Sequence, residues 1–314
     1  MPPKILVVNG PTASGKTRLA VELALAHNGE VVSSDSMQIY RRMDIGTAKP
    51  TREEMQGVPH HMIDVADPEE DFSVARYVDM AARCVDDILA RGKLPIVAGG
   101  TGLYIDSLLS GRTFAAFVPE SPLRGELEER LAKEGGEKLL EELAKVDPET
   151  AARLHPNDSK RIVRALEVFL STGKTMSQHN AETLAIPPRY DALTLTLNFE
   201  QREDMWQRID RRVDVMMEQG LVEEVRALLN SGVPEKCTAM QAIGYKEMAQ
   251  AVLENGDVLA AAEEVKLRSR QYAKRQITWF RRNGQAKWLL WGSAPDFEKA
   301  RQTSTEYLKE FGLV

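Results

Sequence analysis

Cysteine is almost missing from this chain of 314 residues: only Cys84 and Cys237 occur, far apart and without a C-x2-C partner. A disulfide scaffold and a cysteine zinc site are both excluded, and the usage fits a reducing cytoplasm. Long hydrophobic runs are missing too. No stretch reaches the roughly eighteen apolar residues of a membrane-spanning helix. The opening "MPPKILVV" enters a strand-like pattern without the apolar stretch and small-residue cleavage site of a signal peptide. A cytoplasmic protein that meets no membrane is expected. An excess of positive charge is also lacking: 47 acids against 41 bases leave a net charge of −6, which taken as a sum argues against a nucleic-acid partner. The distribution points the other way. From Lys266 to Arg282, "KLRSRQYAKRQITWFRR" carries seven Lys or Arg and no acid, and "KRIVR" (160–164) is a second basic knot.

What the chain does have, over its first hundred residues, is an alternation of short apolar runs with helical patterns, the signature of a parallel α/β sheet. "KILVVN" (4–9), "EVVSSDS" (30–36), "HHMIDV" (60–65) and "LPIVAGG" (94–100) read as strands. Helices are expected near 16–27, over 73–92 and from 101. From 120 to 186 the chain turns polar, helical and strandless, and "PP" (187–188) closes that stretch. Residues 116–188 therefore read as a helical insertion in a core formed by 1–115 and 189–314. Strands return at "DALTLTLNF" (191–199) and "KWLLW" (287–291), separated by amphipathic helices near 201–230, 238–254 and 257–282; a last helix is expected near 295–311.

Between the first strand and the first helix lies "GPTASGKT", a loop of the form G-x4-G-K-[ST]. Gly10 and Gly15 let the backbone wrap, so that the N–H groups of Thr12, Ala13, Ser14 and their neighbours surround an anion at the positive end of the helix, with Pro11, which carries no N–H, in the same loop. Lys16 adds a compact charge, and the Thr17 hydroxyl suits Mg²⁺ carried in by phosphates. The loop alone specifies a diphosphate or triphosphate, and a nucleotide such as ATP fits it as well.

Ligands of such sheets sit beyond the carboxyl ends of the strands. Three motifs occupy those ends: Gly10–Thr17, "DSMQIY" (35–40) and "GGTGLY" (99–104). They are expected to meet at one pocket. There Asp35 would act as a base rather than as a mere strand-end cap, and Thr101 would cap a helix start while offering its hydroxyl. His60 and His61, adjacent on a strand, face opposite sides and cannot share a metal; they read as structural or RNA-facing. No acid ends an apolar strand as a motor ATPase would require. In the basic helix Val265, Tyr272 and Trp279 share an apolar face with Ala273 and Phe280, and read as core anchors. Its cations Lys274, Arg275 and Arg281 read as contacts to an RNA backbone.

On the residues alone two other readings stay open. One is a phosphate-loop kinase of a small metabolite, with Asp35 activating a hydroxyl. The other is a nucleotide-gated RNA-binding protein without catalysis.

Taken together, "GPTASGKT", "SSDSMQIYRRMDIGTAKP", "VPHHMIDV", "PIVAGGTGLYIDSLL", "NDSKRIVRALEV", "MQAIGYKE" and "KRQITWFRR" resemble the bacterial tRNA dimethylallyltransferases, over almost the whole chain. The resemblance implies a P-loop NTPase-like parallel sheet flanked by helices, with a helical insertion domain. It implies transfer of a prenyl group from dimethylallyl diphosphate to the exocyclic amine of adenosine at tRNA position 37, and a monomer acting on the anticodon stem-loop. On this resemblance Gly10 to Thr17 hold the diphosphate with Mg²⁺, Asp35 takes the amine proton, and Thr101 sits against the reacting centre. Arg208 and Arg212 match family arginines, one or both of which grip the departing diphosphate. The matching tRNA contacts are Asp35, Ser36, Met37 and Gln38; Thr101; Ser159, Lys160, Arg161, Ile162 and Val163; and Met240, Gln241, Ala242, Ile243, Gly244 and Tyr245. One departure is Lys160-Arg161, where the family usually has Gln-Arg, which exchanges an amide contact for a phosphate contact.

Overall fold

The computed structural model describes residues 2–111 and 122–314. It divides into two compact units, Met1–Leu109 with Arg189–Val314, and Ser110–Pro188. The expected insertion boundary at 116 lies outside the described residues.

In the larger unit the elements run β1 (Lys4–Asn9), α1 (Lys16–Ala26), β2 (Gly29–Ser33), α2 (Arg52–Met55), β3 (His60–His61), α3 (Val74–Ala90), β4 (Leu94–Gly99) and α4 (Gly102–Ser110). The smaller unit supplies α5 (Pro122–Glu134), α6 (Gly136–Val146), α7 (Pro148–Ala151), α8 (Ser159–Thr172) and α9 (Met176–Leu184). The chain then returns with β5 (Asp191–Phe199), α10 (Arg202–Glu218), α11 (Leu221–Asn230), α12 (Tyr245–Leu253), α13 (Val258–Phe280), β6 (Lys287–Trp291) and α14 (Phe297–Phe311).

Six strands form one sheet in the order β3-β2-β4-β1-β5-β6, and every pairing is parallel. Helices cover both faces, which is why β1 and β4 are near-continuous apolar runs rather than alternating ones. Along β1, Ile5 and Val7 enter a core shared with α3, α4 and α12, while Leu6 and Val8 enter another built with α1, α10 and α14. The order places β2, β4 and β1 side by side, so the three motifs that follow them emerge together.

Some expected elements are shorter. β2 ends at Ser33 rather than continuing to Ser36, because the chain turns there: the Met37 N–H donates to Asp35 Oδ1 at 2.9 Å, a side chain replacing the next ladder bond. β3 keeps only two of six expected residues, since Met62 and Asp64 adopt φ of 64° and 56°, incompatible with an extended strand. The helical stretch 201–230 breaks at Gly220, with φ 98°, into α10 and α11.

The smaller unit is wholly helical among its described residues. Leu127, Leu139, Leu143, Ile162, Val163 and Leu166 form its own core. Thr175 and Gln178 close a capping box at the start of α9, and Asp147 caps α7 by accepting from the Thr150 N–H.

Candidate active site

β1 delivers its chain end straight into the anion loop. A Cβ at Gly10 would stand 2.7 Å from the Leu197 carbonyl oxygen, so no other residue fits this close crossing of β5. Gly15 takes φ of 85°, and the Phe297 ring fills the space a side chain would need. α1 starts directly afterwards with no side-chain cap and no acid in its first turn, leaving its positive end open to an anion. Three distant elements hold the loop: Trp291 Nε1 donates to the Ser14 carbonyl at 2.8 Å, Arg208 Nε to the Ala13 carbonyl at 3.3 Å, and the Thr12 N–H to Gln276 Oε1 at 2.9 Å.

A cavity of about 820 Å³ opens on the loop, walled by Lys16, Thr17, Arg208, Arg211 and Arg212 among others. Burial, then the Arg212 charge, lowers the Lys16 ammonium to about 8, with Asp35 pulling weakly the other way. Arg212 is pushed down by burial and supported by Asp35, and its Nε is buried without a hydrogen-bond partner among the described residues. Two crowded cations and an unpartnered guanidinium N–H are the complement of a multivalent anion. Among the described residues no group of three His, Cys, Asp or Glu could hold a metal. Thr17 lies in the cavity wall, where its hydroxyl is a hard oxygen donor of the kind Mg²⁺ takes.

A second cavity, about 320 Å³, lies on the far side of Arg212 and Met216, which line both. Its polar wall holds Thr12, Asp35, Ser36, Tyr272 and Arg275, and its apolar wall Ile209, Val213, Ile243 and Val265. Asp35 spends Oδ1 on the Met37 N–H, so it is both a turn residue and a carboxylate facing the cavity. Thr101 stands behind it: its Oγ1 accepts from the Ser36 N–H at 3.0 Å and its own N–H reaches the Ser34 carbonyl at 3.1 Å. Gln38 is buried, with its amide donating to the Thr47 and Ala48 carbonyls. Tyr272, expected as a core anchor, instead lines this cavity; burial and then the Asp35 charge push its phenol up to about 12. Val265, Ala273 and Phe280 are buried in the core as their spacing indicates.

The basic run splits. Lys266 pairs with Asp214 and Glu263, Arg268 with Glu264, and Arg270 with Asp210. Lys274, Arg275 and Arg281 are exposed and have no ion-pair partner among the described residues; Lys274 lies 5.3 Å from the Trp206 ring. Within "MQAIGY" only Gln241 is exposed. Met240 and Tyr245 are fully buried, Ala242 and Gly244 are buried, and Ile243 is half-buried. The Tyr245 hydroxyl donates to Glu224, whose carboxylate also accepts the N–H groups of Asp44, Ile45 and Gly46, so this motif holds the cavity-lining loop in place. In the smaller unit Lys160 and Arg161 are exposed at the start of α8, Ser159 is half-buried, and Ile162 and Val163 are core. His61 bonds the buried Glu30, whose carboxyl Arg91 and then Lys93 hold well below the usual range; His60 Nδ1 contacts the Val58 carbonyl.

Gln276, Trp291 and Glu224 are site residues that the sequence reading missed. Gln276 had a signal: it is a polar side chain on the apolar face of α13. The other two are tied to the site by contacts across long stretches of chain.

A parallel sheet of this order, with an anion loop after β1 and a carboxylate after its neighbour β2, defines a phosphate-loop α/β protein. The chain belongs to the IPP transferase family, whose sequence profile matches residues 38–283. It is 47% identical over 308 residues to a tRNA dimethylallyltransferase of Caldanaerobacter subterraneus, covering 97% of each chain. Among solved structures, it resembles the full-length tRNA isopentenylpyrophosphate transferase of Bacillus halodurans with a TM-score of 0.73 and 40% identity, covering 99% of this chain and 96% of that one. A eukaryotic dimethylallyltransferase acting on tRNA matches with a TM-score of 0.83 and 31% identity, over 98% of this chain and 80% of that one.

Proposed function

We propose that this protein is a tRNA dimethylallyltransferase, which moves the dimethylallyl group of dimethylallyl diphosphate to the exocyclic amine of adenosine at tRNA position 37 and releases diphosphate. The observation that carries the reading is the wall shared by the two cavities: Arg212 lines both the anion cradle and the chamber that Asp35 faces.

The loop N–H groups, Lys16 and Arg208 bind the diphosphate, and Arg212 neutralises charge where the C–O bond breaks. The Thr17 hydroxyl would hold Mg²⁺, whose chemistry is to offset further negative charge on the leaving diphosphate. Ile209, Val213, Met216 and Val265 offer an apolar lining for the five-carbon chain and exclude water from an allylic carbon that turns cationic. The amine nitrogen forms the new C–N bond, the C–O electron pair leaves with the diphosphate, and the amine proton passes to Asp35. Adenine's amine is a weak nucleophile because its lone pair is drawn into the ring, so removing the proton as the bond forms contributes ~10²–10⁴-fold.

The base must be flipped from its stack to enter a chamber of this size. Lys274 and Arg275 on α13, with Arg281 at its end, take phosphates of the anticodon stem-loop, and Lys160 and Arg161 on α8 are further tRNA phosphate contacts. We place the reaction in the cytoplasm and assign it to a monomer. The test mixes protein, Mg²⁺ and labelled dimethylallyl diphosphate, without nucleotide, with unmodified anticodon stem-loops. Label should enter a loop with adenosine at position 37 and spare one with guanosine there; a requirement for ATP would turn the assignment towards a kinase.

A further inference from the structure

Gln276 is an amide where the inner face of α13 should carry a hydrocarbon. It lies between Ala273 and Phe280 and is 5% exposed. A buried amide needs partners for both ends, and both partners come from loops of the site. The Thr12 N–H donates to Oε1, and Nε2 donates to the Gly100 carbonyl, each at 2.9 Å. The fit is close: a Cβ at Gly100 would stand 2.4 Å from Nε2. One turn earlier, Tyr272 lines the smaller cavity with its phenol beside Thr101 and Gln276. Thr101 Oγ1 in turn accepts the Ser36 N–H, beside Asp35. A leucine or methionine would fill the same space, but it would leave the Thr12 N–H and the Gly100 carbonyl without partners.

The two hydrogen bonds of Gln276 and that of Thr101, linked by the Gly100–Thr101 peptide, thus join the anion loop to the turn that carries the base. We propose that Gln276, supported by Tyr272, is a positioning residue that sets the distance between the anion cradle and Asp35. It touches neither substrate. It acts by keeping the Thr12 segment and the Gly100–Thr101 segment in register, so that leaving group and base face the same carbon. This role rests on the dimethylallyl-transfer reading, because only a reaction using both loops at once needs their separation fixed.

The experiment uses the full chain with Gln276→Ala, Gln276→Glu and Tyr272→Phe. A 1 Å misplacement can cost about a hundredfold, so Q276A should lower kcat by about 10–100-fold. The tRNA KM should stay within about threefold of wild type, because the RNA-facing cations are untouched. Q276E is the sharper probe. As a carboxylate it accepts the Thr12 N–H but points a second acceptor at the Gly100 carbonyl; once protonated it regains a donor. The ratio of Q276E to wild-type kcat should therefore rise as pH falls from about 8.5 to about 6.5, a range set by burial of the new carboxyl. Taking the ratio removes every pH dependence the variant shares with wild type. Y272F should lower kcat by about 3–10-fold through the loss of one hydroxyl, and it carries the test if Q276A fails to fold.

A wild-type kcat in Q276A overturns the proposal. So does a Q276E ratio that does not change with pH, which would mark a purely structural amide. If wild-type protein transfers no prenyl group at all, the functional reading fails separately. Amide exchange at Thr12 and affinity for Mg²⁺–pyrophosphate then decide on the tie: faster exchange and weaker affinity in Q276A support it, and unchanged values overturn it.

Discussion

Asp35 holds two tasks in one side chain, and they can be separated. Its Oδ1 accepts the Met37 N–H, while the carboxylate faces the smaller cavity. Asp35→Asn keeps an oxygen for the turn and removes the base. We expect kcat to fall by ~10²–10⁴-fold, with the thermal midpoint and tRNA affinity close to wild type. Full activity in this variant would reduce Asp35 to a turn residue. Lys16 makes a prediction in pH. Its ammonium, lowered to about 8 in the free protein, gains an anion when diphosphate binds, which raises its proton affinity. Binding is then accompanied by proton uptake above pH 8, so diphosphate affinity should weaken as pH rises through that value. Calorimetry across pH 7 to 9, in buffers of different ionisation heat, should show the uptake in wild type and lose it in Lys16→Met.

At the scale of elements, α13 shows why a charge run must be read with its neighbours. Asp210 and Asp214 on α10 neutralise Arg270 and Lys266, whereas Lys274, Arg275 and Arg281 keep their charge for a partner. Lys274→Ala should reduce the slope of log affinity for tRNA against log salt by about one. Lys266→Ala should leave that slope in place, because its charge is already spent within the protein. Equal effects would mean that the RNA lies along the whole helix. The same contrast marks what the sequence could disclose. β1, β5 and β6 match their expected bounds, β1 because a buried parallel strand reads as an apolar run, and β5 and β6 because leucine-rich, strand-like composition returns there between helical stretches. The convergence of three strand-end motifs was legible because strand ends in such sheets share an edge. The end of β2 depended on a side chain capping its own backbone, and the end of β3 on two residues with positive φ. The α10–α13 ion pairs join residues about sixty apart, for example Arg270 and Asp210, and no local pattern announces them. Tyr272 had the right spacing for a core face, and only the cavity it lines reveals its different work; Gln276 is set apart by its hydrogen bonds to two loops of the site.

At the scale of the whole molecule, two hydrophobic cores serve the sheet and a third lies within residues 110–188. A unit with its own core can unfold by itself. Leu143 is fully buried in that third core, and Leu143→Ala should cost about 2–5 kcal/mol there. Calorimetry of the full chain should show two transitions, with this substitution moving only one of them. A single transition that moves as a whole would mean that the two units melt together.

The Trp291 indole grips the Ser14 carbonyl across 277 residues of chain. Synthesis runs from the amino end, so in a nascent polypeptide the anion loop lacks this last of its three braces until β6 leaves the ribosomal tunnel, after Arg208 and Gln276. An enzyme whose substrate is part of the translation apparatus would thus complete its anion loop only once β6 has been made.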